Sequence, residues 1–475
     1  MPDAPTSPHP RRASRPSCAR RASGPRGSRR LDAVDGTAFQ LPTLIVPRAP
    51  VNRHPCGREV SGAARAGYNR GMNALCILID GWHAGFLGPY GNSWIETPAL
   101  NRLAAESLVF DCALAQSPRL DDLYAACWQG WHALCPPPPA DRPTLGRLLA
   151  AAGVELEWLT DEPRLADHPA ARELGEPAVV EPPWQAEPVR EIEQTHAARC
   201  FMSLIDRLES LAEPYLFWCH LAGPARIWDA PMALRESFGE PGDPPTYDGA
   251  DVPERILPKD YDPDVLLPLV HAYAAQMVVL DTCLGALLEY LDDVPPGSRP
   301  LLIVAGARGF ALGEHRRVGP SNEALYGELV HVPLLVRTPD GSTAAARSAA
   351  LVDHADLWAT LLDWWRIADR PAAPTAAGLF RALEQEDWTP RDRLVLRGRG
   401  AERAIRTPAW YLRRAETAEL YVKPDDRWEA NDVSVRCREV AECLEDALAQ
   451  MEIALRAGSA ADLPPLSRVL IEGLG

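Results

Sequence analysis

The chain has 475 residues, 46% of them apolar, 24% charged and 7% aromatic. That balance suits one large globular core or two or three domains, and it excludes a collagen, a coiled coil and a wholly disordered chain. The formal net charge is −16 and is unevenly spread: residues 1–71 carry a net of +9, from 13 Arg and four acids, and the remainder carries −25.

Residues 1–71 are rich in Pro, Ser, Gly and Arg and hold only short apolar stretches such as Leu44-Ile45-Val46. They cannot bury enough surface to offset chain entropy. One reading is a basic tail for acidic surfaces. The other, which the composition favours, is a disordered extension or upstream sequence read from the wrong start, with Met72 as the true one. The Arg pairs near the start are not followed by an apolar run, so no secretory signal is legible. No uninterrupted run of about 18 apolar residues occurs either, so no membrane span is expected. The acidic body should repel nucleic acid and anionic membranes. Eleven cysteines are scattered without a Cys-x-x-Cys pair, and Cys76, Cys219 and Cys283 sit among apolar residues. This pattern predicts reduced, mostly buried thiols in a cytoplasmic protein.

The first strand is expected at Ala74–Ile79, a continuous apolar run suited to a strand covered on both faces. It ends at Asp80-Gly81, a turn signal. Thr97-Pro98 opens a helix, with Thr as N-cap and Pro at the first helical position. Further buried strands are expected at Tyr215–His220, Leu301–Ala305 and Val332–Val336, alternating with helices near 141–152, 190–212, 263–292 and 354–366. The alternation predicts an α/β fold with a mainly parallel central sheet flanked by helices. Ligands in such sheets bind beyond the carboxyl ends of the strands, which places Asp80 and the segment after Ala305 at the expected site. Segment 228–262, rich in Pro, Asp and Glu, suggests a long surface excursion. Leu394–Leu396, Ala404–Thr407, Trp410–Arg413 and Glu419–Val422 form an antiparallel meander. Helix 434–457 follows, with Val440, Cys443, Leu444, Ala447, Leu448, Met451 and Leu455 on one stripe. The expected organisation is an extension over 1–71, an α/β domain over 72–385 and a small C-terminal α+β subdomain over 386–475, with Pro371–Pro374 as the linker.

Several segments resemble the sulfatases of the alkaline phosphatase superfamily. They are Leu78–Gly81, Leu87–Asn92, Thr97–Ala104, Glu106–Phe110, Ala115–Pro118, Gly313-Glu314-His315 and Ala324–Tyr326 leading into Val332–Val336, then Val352–Leu362 and Arg403–Tyr421. Their order and spacing cover roughly residues 73 to 460. The resemblance implies a formylglycine nucleophile made from Cys or Ser and a divalent cation, usually calcium, held by carboxylates and an amide. It also implies Lys, His and Arg side chains that stabilise charge on the reacting groups. Asp80 matches the first metal aspartate, and the second falls on Gly81. The nucleophile falls on Leu120, and the family's Cys-x-Pro-x-Arg is here Leu120-Asp121-Asp122-Leu123-Tyr124. The late Asp-His or Asp-Asn before Gly is Ala307-Arg308-Gly309. The expected Lys falls near Pro320 and a further His near Ala225.

The former active-site pocket thus comprises Asp80, Gly81, Leu120, Asp121, Asp122, Tyr124, Ala307, Arg308 and His315. Leu120 cannot be a nucleophile, and one carboxylate is a poor site for a cation that takes about 6–8 oxygens. Arg308 should project toward the vacated cation position and pair with Asp80. Asp121 and Asp122 fit the acid-rich first turn of a helix. His315 fits a hydrogen-bonded loop residue, His220 a satisfied core histidine, and Cys127 simple packing. The reading is a sulfatase-like protein without catalysis or cofactor, binding an anion or a protein partner through an electropositive pocket at Arg308. The alternative is an active hydrolase of sulfate or phosphate esters that uses Asp121 or Asp122 as nucleophile and calcium or magnesium at Asp80. A third reading is a structural subunit that pairs with an active paralogue.

Overall fold

All six residues of the first strand, β1 (Ala74–Ile79), are buried. A strand with sheet neighbours on both edges and helices on both faces has no wet side, which is why its sequence does not alternate. The computed structural model describes residues 72–475 except 185–186, 321–323, 386–387, 459, 461–462 and 475; the expectations for residues 1–71 lie outside the described residues. After β1 come α1 (Pro98–Ala105), β2 (Leu108–Leu114), α2 (Leu120–Gln129), α3 (Leu145–Ala151), β3 (Glu155–Thr160), β4 (Ala178–Val179) and α4 (His196–Leu208). Next are β5 (Tyr215–Leu221), α5 (Leu267–Asp293), β6 (Leu301–Gly306), β7 (His331–Val332), β8 (Leu334–Arg337), β9 (Ala346–Asp353) and α6 (Ala355–Trp364).

β1 runs parallel to both β5 and β6, and β3 and β4 extend the parallel set beyond β5. On the other side β8 lies antiparallel between β6 and β2, and β9 pairs in parallel with β2. The single strand expected over Val332–Val336 is two pieces, β7 and β8, split at Pro333. Proline has no N–H for the ladder; its carbonyl instead accepts from Gly306 N at 2.8 Å. Alternate residues of β1 serve two cores. Leu75, Ile77 and Ile79 face α4 and α5, and Ala74, Cys76 and Leu78 face a set containing Trp128, Trp158, Trp218 and Trp358.

Thr97 stands at the N-cap of α1, but its hydroxyl accepts from Gly88 N at 3.1 Å instead. The cap comes from Asp281 of α5, whose carboxylate accepts from Ala99 N at 3.1 Å and Leu100 N at 2.8 Å. Burial pushes the Asp281 carboxyl up to about 6. The segment Pro263–Asp293 is long and apolar enough to cross a membrane. In this fold it packs in the core, with His271, Gln276 and Asp281 also buried.

Two further expectations need correction. Segment 228–262 is not wholly a surface excursion: Trp228, Asp229, Ala230, Arg235, Ala250 and Leu257 are buried. Arg235 gathers the segment by donating to the carbonyls of Trp228, Ala230, Tyr247 and Gly249, a task for which its five donors suit it. On the last long helix Cys443 is exposed, off the buried stripe.

The C-terminal part contains an antiparallel sheet of β10 (Leu394–Arg397), β11 (Arg403–Arg406), β12 (Trp410–Arg414) and β13 (Ala418–Val422), then α7 (Arg438–Arg456). One sheet face, with Val395, Ile405, Leu412 and Leu420, packs against Val440, Leu444, Leu448 and Met451 of α7. The other, with Leu394, Leu396, Tyr411 and Tyr421, packs against Leu114, Leu329 and Leu351 of the main domain.

The chain entering β10 is fastened by Arg391, which donates to Asp356 Oδ2 at 2.8 Å, Asp356 Oδ1 at 2.6 Å and Thr375 O at 2.7 Å, and lies 3.7 Å from Asp353. Arg391→Met should leave two buried carboxylates unpaired and lower unfolding free energy by about 3–5 kcal/mol in urea denaturation. Arg438→Met, at an exposed pair, should leave the midpoint in place. Burial also pushes His132, His331 and His354 down to about 4. Below pH ~6.5 an unfolded histidine binds a proton that the folded one refuses. These three histidines should therefore draw stability down as pH drops from ~6.5 toward 4, while Asp281, raised to about 6, works in the opposite direction below that pH. In pH-dependent denaturation, His354→Gln should reduce that slope.

Candidate functional site

Asp80 follows β1 and Arg308 follows β6, so parallel pairing of the two strands delivers both residues to the same end of the sheet. The backbone continues this register: Ala307 N donates to Ile79 O at 2.8 Å and Trp82 N to Arg308 O at 3.0 Å. The guanidinium meets the carboxylate as a fork, Nε to Oδ1 at 2.8 Å and Nη2 to Oδ2, while Nη1 donates to Pro118 O at 2.9 Å. The side chains are only 14% and 3% exposed. Burial works against the charged guanidinium, and the adjacent Asp80 carboxylate outweighs it, so the Arg308 pKa is raised.

Leu120 is the first residue of α2 and is half-buried, with Asp121 and Asp122 in the first turn. Asp121 is exposed beside Arg119. Asp122 accepts from Ser117 Oγ at 2.7 Å and lies 3.7 Å from Arg397 Nη1. Tyr124, one turn on, is fully buried, and its hydroxyl meets His220 Nδ1 at 2.6 Å. Burial raises the tyrosine pKa and lowers that of the histidine. Both groups are therefore held neutral, and one hydrogen is shared between them. His220 Nε2 has no hydrogen-bond partner among the described residues, so His220 is only half-satisfied. His315, at φ +49°, belongs elsewhere: it bonds Glu328 Oε1 at 2.9 Å and Glu429 O at 3.2 Å and stacks on Tyr326 at 3.6 Å. Burial lowers its pKa and Glu328 more than offsets this, so the net direction is upward. The site thus joins Asp80 to Arg308 and Tyr124 to His220, and ties His315 to the C-terminal segment.

The sulfatase family model matches residues 72–367. The chain belongs to the sulfatase family. It is 30% identical over 120 residues to an N-acetylglucosamine-6-O-sulfatase of Bacteroides thetaiotaomicron, a match covering 25% of this chain and 21% of that protein's length. Among solved structures it resembles the phosphonate monoester hydrolase of Agrobacterium radiobacter, with a TM-score of 0.64 and 16% identity over 82% of this chain and 96% of the other. It also resembles a protein solved with its substrate D-glucosamine-2-N,6-O-disulfate, with a TM-score of 0.62 and 17% identity over 81% and 98% of the two chains. These structural likenesses establish the fold: a central sheet flanked by helices, with a separate C-terminal sheet.

The family's cation does not fit the residues present in this sulfatase-family chain. Asp80 already gives both oxygens to Arg308. Gly81 has φ +68°, and a Cβ there would lie 2.5 Å from Ala225 N, so an aspartate has no room. Ala307 has no side-chain oxygen and Arg308 is itself a cation, so the positions that the resemblance matches to the metal ligands offer a hard divalent ion no carboxylate beyond Asp80.

A second cluster, not seen in the sequence, lies at the end of β3. Donor atoms of Asp161, His196 and Cys200 lie within 4.8 Å of one another and are buried. His196 Nε2 faces Asp161 at 3.0 Å and Cys200 at 3.6 Å, while Nδ1 meets Arg199 Nη2 at 3.2 Å. Arginine can only donate, so the ring proton sits on Nε2 and is given to Asp161. The set is satisfied as a hydrogen-bonded bolt between α4 and β3. Glu162, 3.1 Å from Arg226 Nη1, was missed for the same reason: β3 itself was not legible.

Arg308→Met should strand Asp80 as a lone buried carboxylate and lower unfolding free energy by about 3–5 kcal/mol in urea. Adding Asp80→Asn should restore most of the loss. An unchanged single variant would show that the pair does not hold the strand ends.

Proposed function

We propose that this sulfatase-family protein does not hydrolyse sulfate or phosphate esters and works without a metal cofactor, its former catalytic centre acting as a closed structural joint. The observation that carries the reading is the two-pronged Asp80–Arg308 pair, which places a guanidinium against the carboxylate that would ligate a cation. Leu120 stands where the family resemblance puts the nucleophile, and a leucine side chain has no lone pair with which to attack. In this reading Asp80 is itself the anion that Arg308 holds, and ligand recognition falls to another surface.

The test uses the purified full chain with 4-nitrophenyl sulfate and 4-nitrophenyl phosphate, each with and without calcium, magnesium or manganese. The expected outcome is release of 4-nitrophenol at the rate of buffer alone, with no shift of the thermal midpoint on adding metal. Turnover abolished by Asp122→Asn would overturn the proposal in favour of a carboxylate nucleophile. Metal-dependent turnover lost in Asp80→Asn would overturn it in favour of a cation site.

A further inference from the structure

A cavity of about 700 Å3 lies between the loop 83–91, the edge formed by β2 and β9, and the C-terminal sheet. Neither Asp80, Leu120 nor Arg308 lines it. Four cations do: Arg347, Arg406, Lys423 and Arg427. Arg347 pairs with Asp111, and Lys423 lies 3.0 Å from Glu429. The remaining lining acid, Glu328, is taken by His315 at 2.9 Å. Arg406 and Arg427 have no carboxylate partner among the described residues. Arg406 donates to the carbonyls of Thr407 and Trp410, and Arg427 to that of Tyr90 at 2.9 Å. Carbonyl oxygens solvate a guanidinium but do not cancel its charge. Both charges reach His331 in the cavity wall, whose pKa is lowered first by burial and then by Arg427, Arg406 and Lys423.

Two unmatched guanidinium groups on one cavity run against the −25 net charge of residues 72–475. The rest of the wall includes Tyr90, Tyr411, Leu114 and Leu351. Trp428 also lines it, is 50% exposed, and has the Arg427 guanidinium 5.0 Å from its ring centroid. The volume lies within the range of about 300–1,000 Å3 typical of small-molecule sites. We propose that this cavity binds a small oxyanion carried on a flat ring, the oxyanion held by Arg406 and Arg427 and the ring laid against Trp428. Guanidinium forks match sulfate, phosphate and carboxylate oxygens, and a tryptophan face suits a planar or sugar ring.

The test titrates the full chain with 4-methylumbelliferyl sulfate and, separately, 4-methylumbelliferyl phosphate, read by fluorescence. The uncharged 7-methoxy-4-methylcoumarin and inorganic sulfate serve as the ring alone and the anion alone. Saturable binding is expected for at least one ester, and the tighter of the two identifies the anion. Arg427→Gln should weaken it about tenfold or more, as loss of a charge-assisted contact does. Trp428→Ala should weaken the esters but not inorganic sulfate. Arg406→Gln gives the same readout if it folds; because Arg406 is buried, Arg427→Gln and Trp428→Ala carry the test on their own. Equal binding of the uncharged coumarin, unchanged affinity in Arg427→Gln, or no saturation by about 10 mM ester would overturn the proposal. Ester turnover without an effect of Arg427→Gln on binding would refute both this inference and the non-hydrolytic reading. Turnover with that effect would refute the non-hydrolytic reading alone.

Discussion

A buried carboxylate at the end of a central strand cannot stand alone, because desolvating an unpaired charge costs several kcal/mol. Asp80 stands in that position, and the geometry at the sheet's carboxyl end follows from how it is matched. A divalent cation would demand several more oxygens around it. A guanidinium demands only the two that Asp80 already has, and brings spare donors of its own. Arg308 uses one of these on Pro118 O, which ties the segment entering α2 to the ends of β1 and β6. The alanine at 307 and the glycine at 81 then belong to the same solution. A second carboxylate at either position would compete for one guanidinium, and at 81 it would also collide with Ala225.

This pairing was legible in the sequence because two neighbouring changes, at 307 and 308, made sense only together. β1 was legible because six consecutive apolar residues leave a strand no polar side. The C-terminal meander was legible because its strands are short and close in sequence. What the sequence concealed was set by distant contacts. β2 carries Asp111 and Cys112 in mid-strand, and β3 begins with Glu155 and Glu157, so neither has a clean apolar run. The capping of α1 by Asp281 joins residues 181 and 182 positions apart. Burial of Arg235 requires four carbonyls from 228–249 to converge, which no local pattern announces.

The sequence holds only Lys259 and Lys423 as lysines, every other basic side chain besides histidine being arginine. The structure puts that excess to internal use. Arg235 collects carbonyls, Arg391 holds Asp356 and Asp353, and Arg413 joins Glu402 to Glu419. Each role needs several donors in one plane, which an ammonium cannot supply. Such clamps let a fold bury charge without leaving it unmatched, and they explain how the acidic main domain and the C-terminal sheet pack so many ionisable groups between them.

Within that pattern Arg406 and Arg427 are the exceptions that matter. Arg235, Arg391 and Arg413 have either a carboxylate or a full set of carbonyls, and Arg308 has both kinds of partner. Arg406 and Arg427 have carbonyls only, and both face the same cavity. A guanidinium with unspent donors beside an exposed tryptophan is stabilised further by any oxyanion that brings its own ring. The Asp80–Arg308 pair has the opposite arrangement, its cation saturated from within the chain. A family fold fixes where strands end and which loops meet there, but not which of those places carries chemistry. In the proposed reading, the charge balance moves recognition away from β1 and β6 and toward the seam between β2, β9 and the C-terminal sheet.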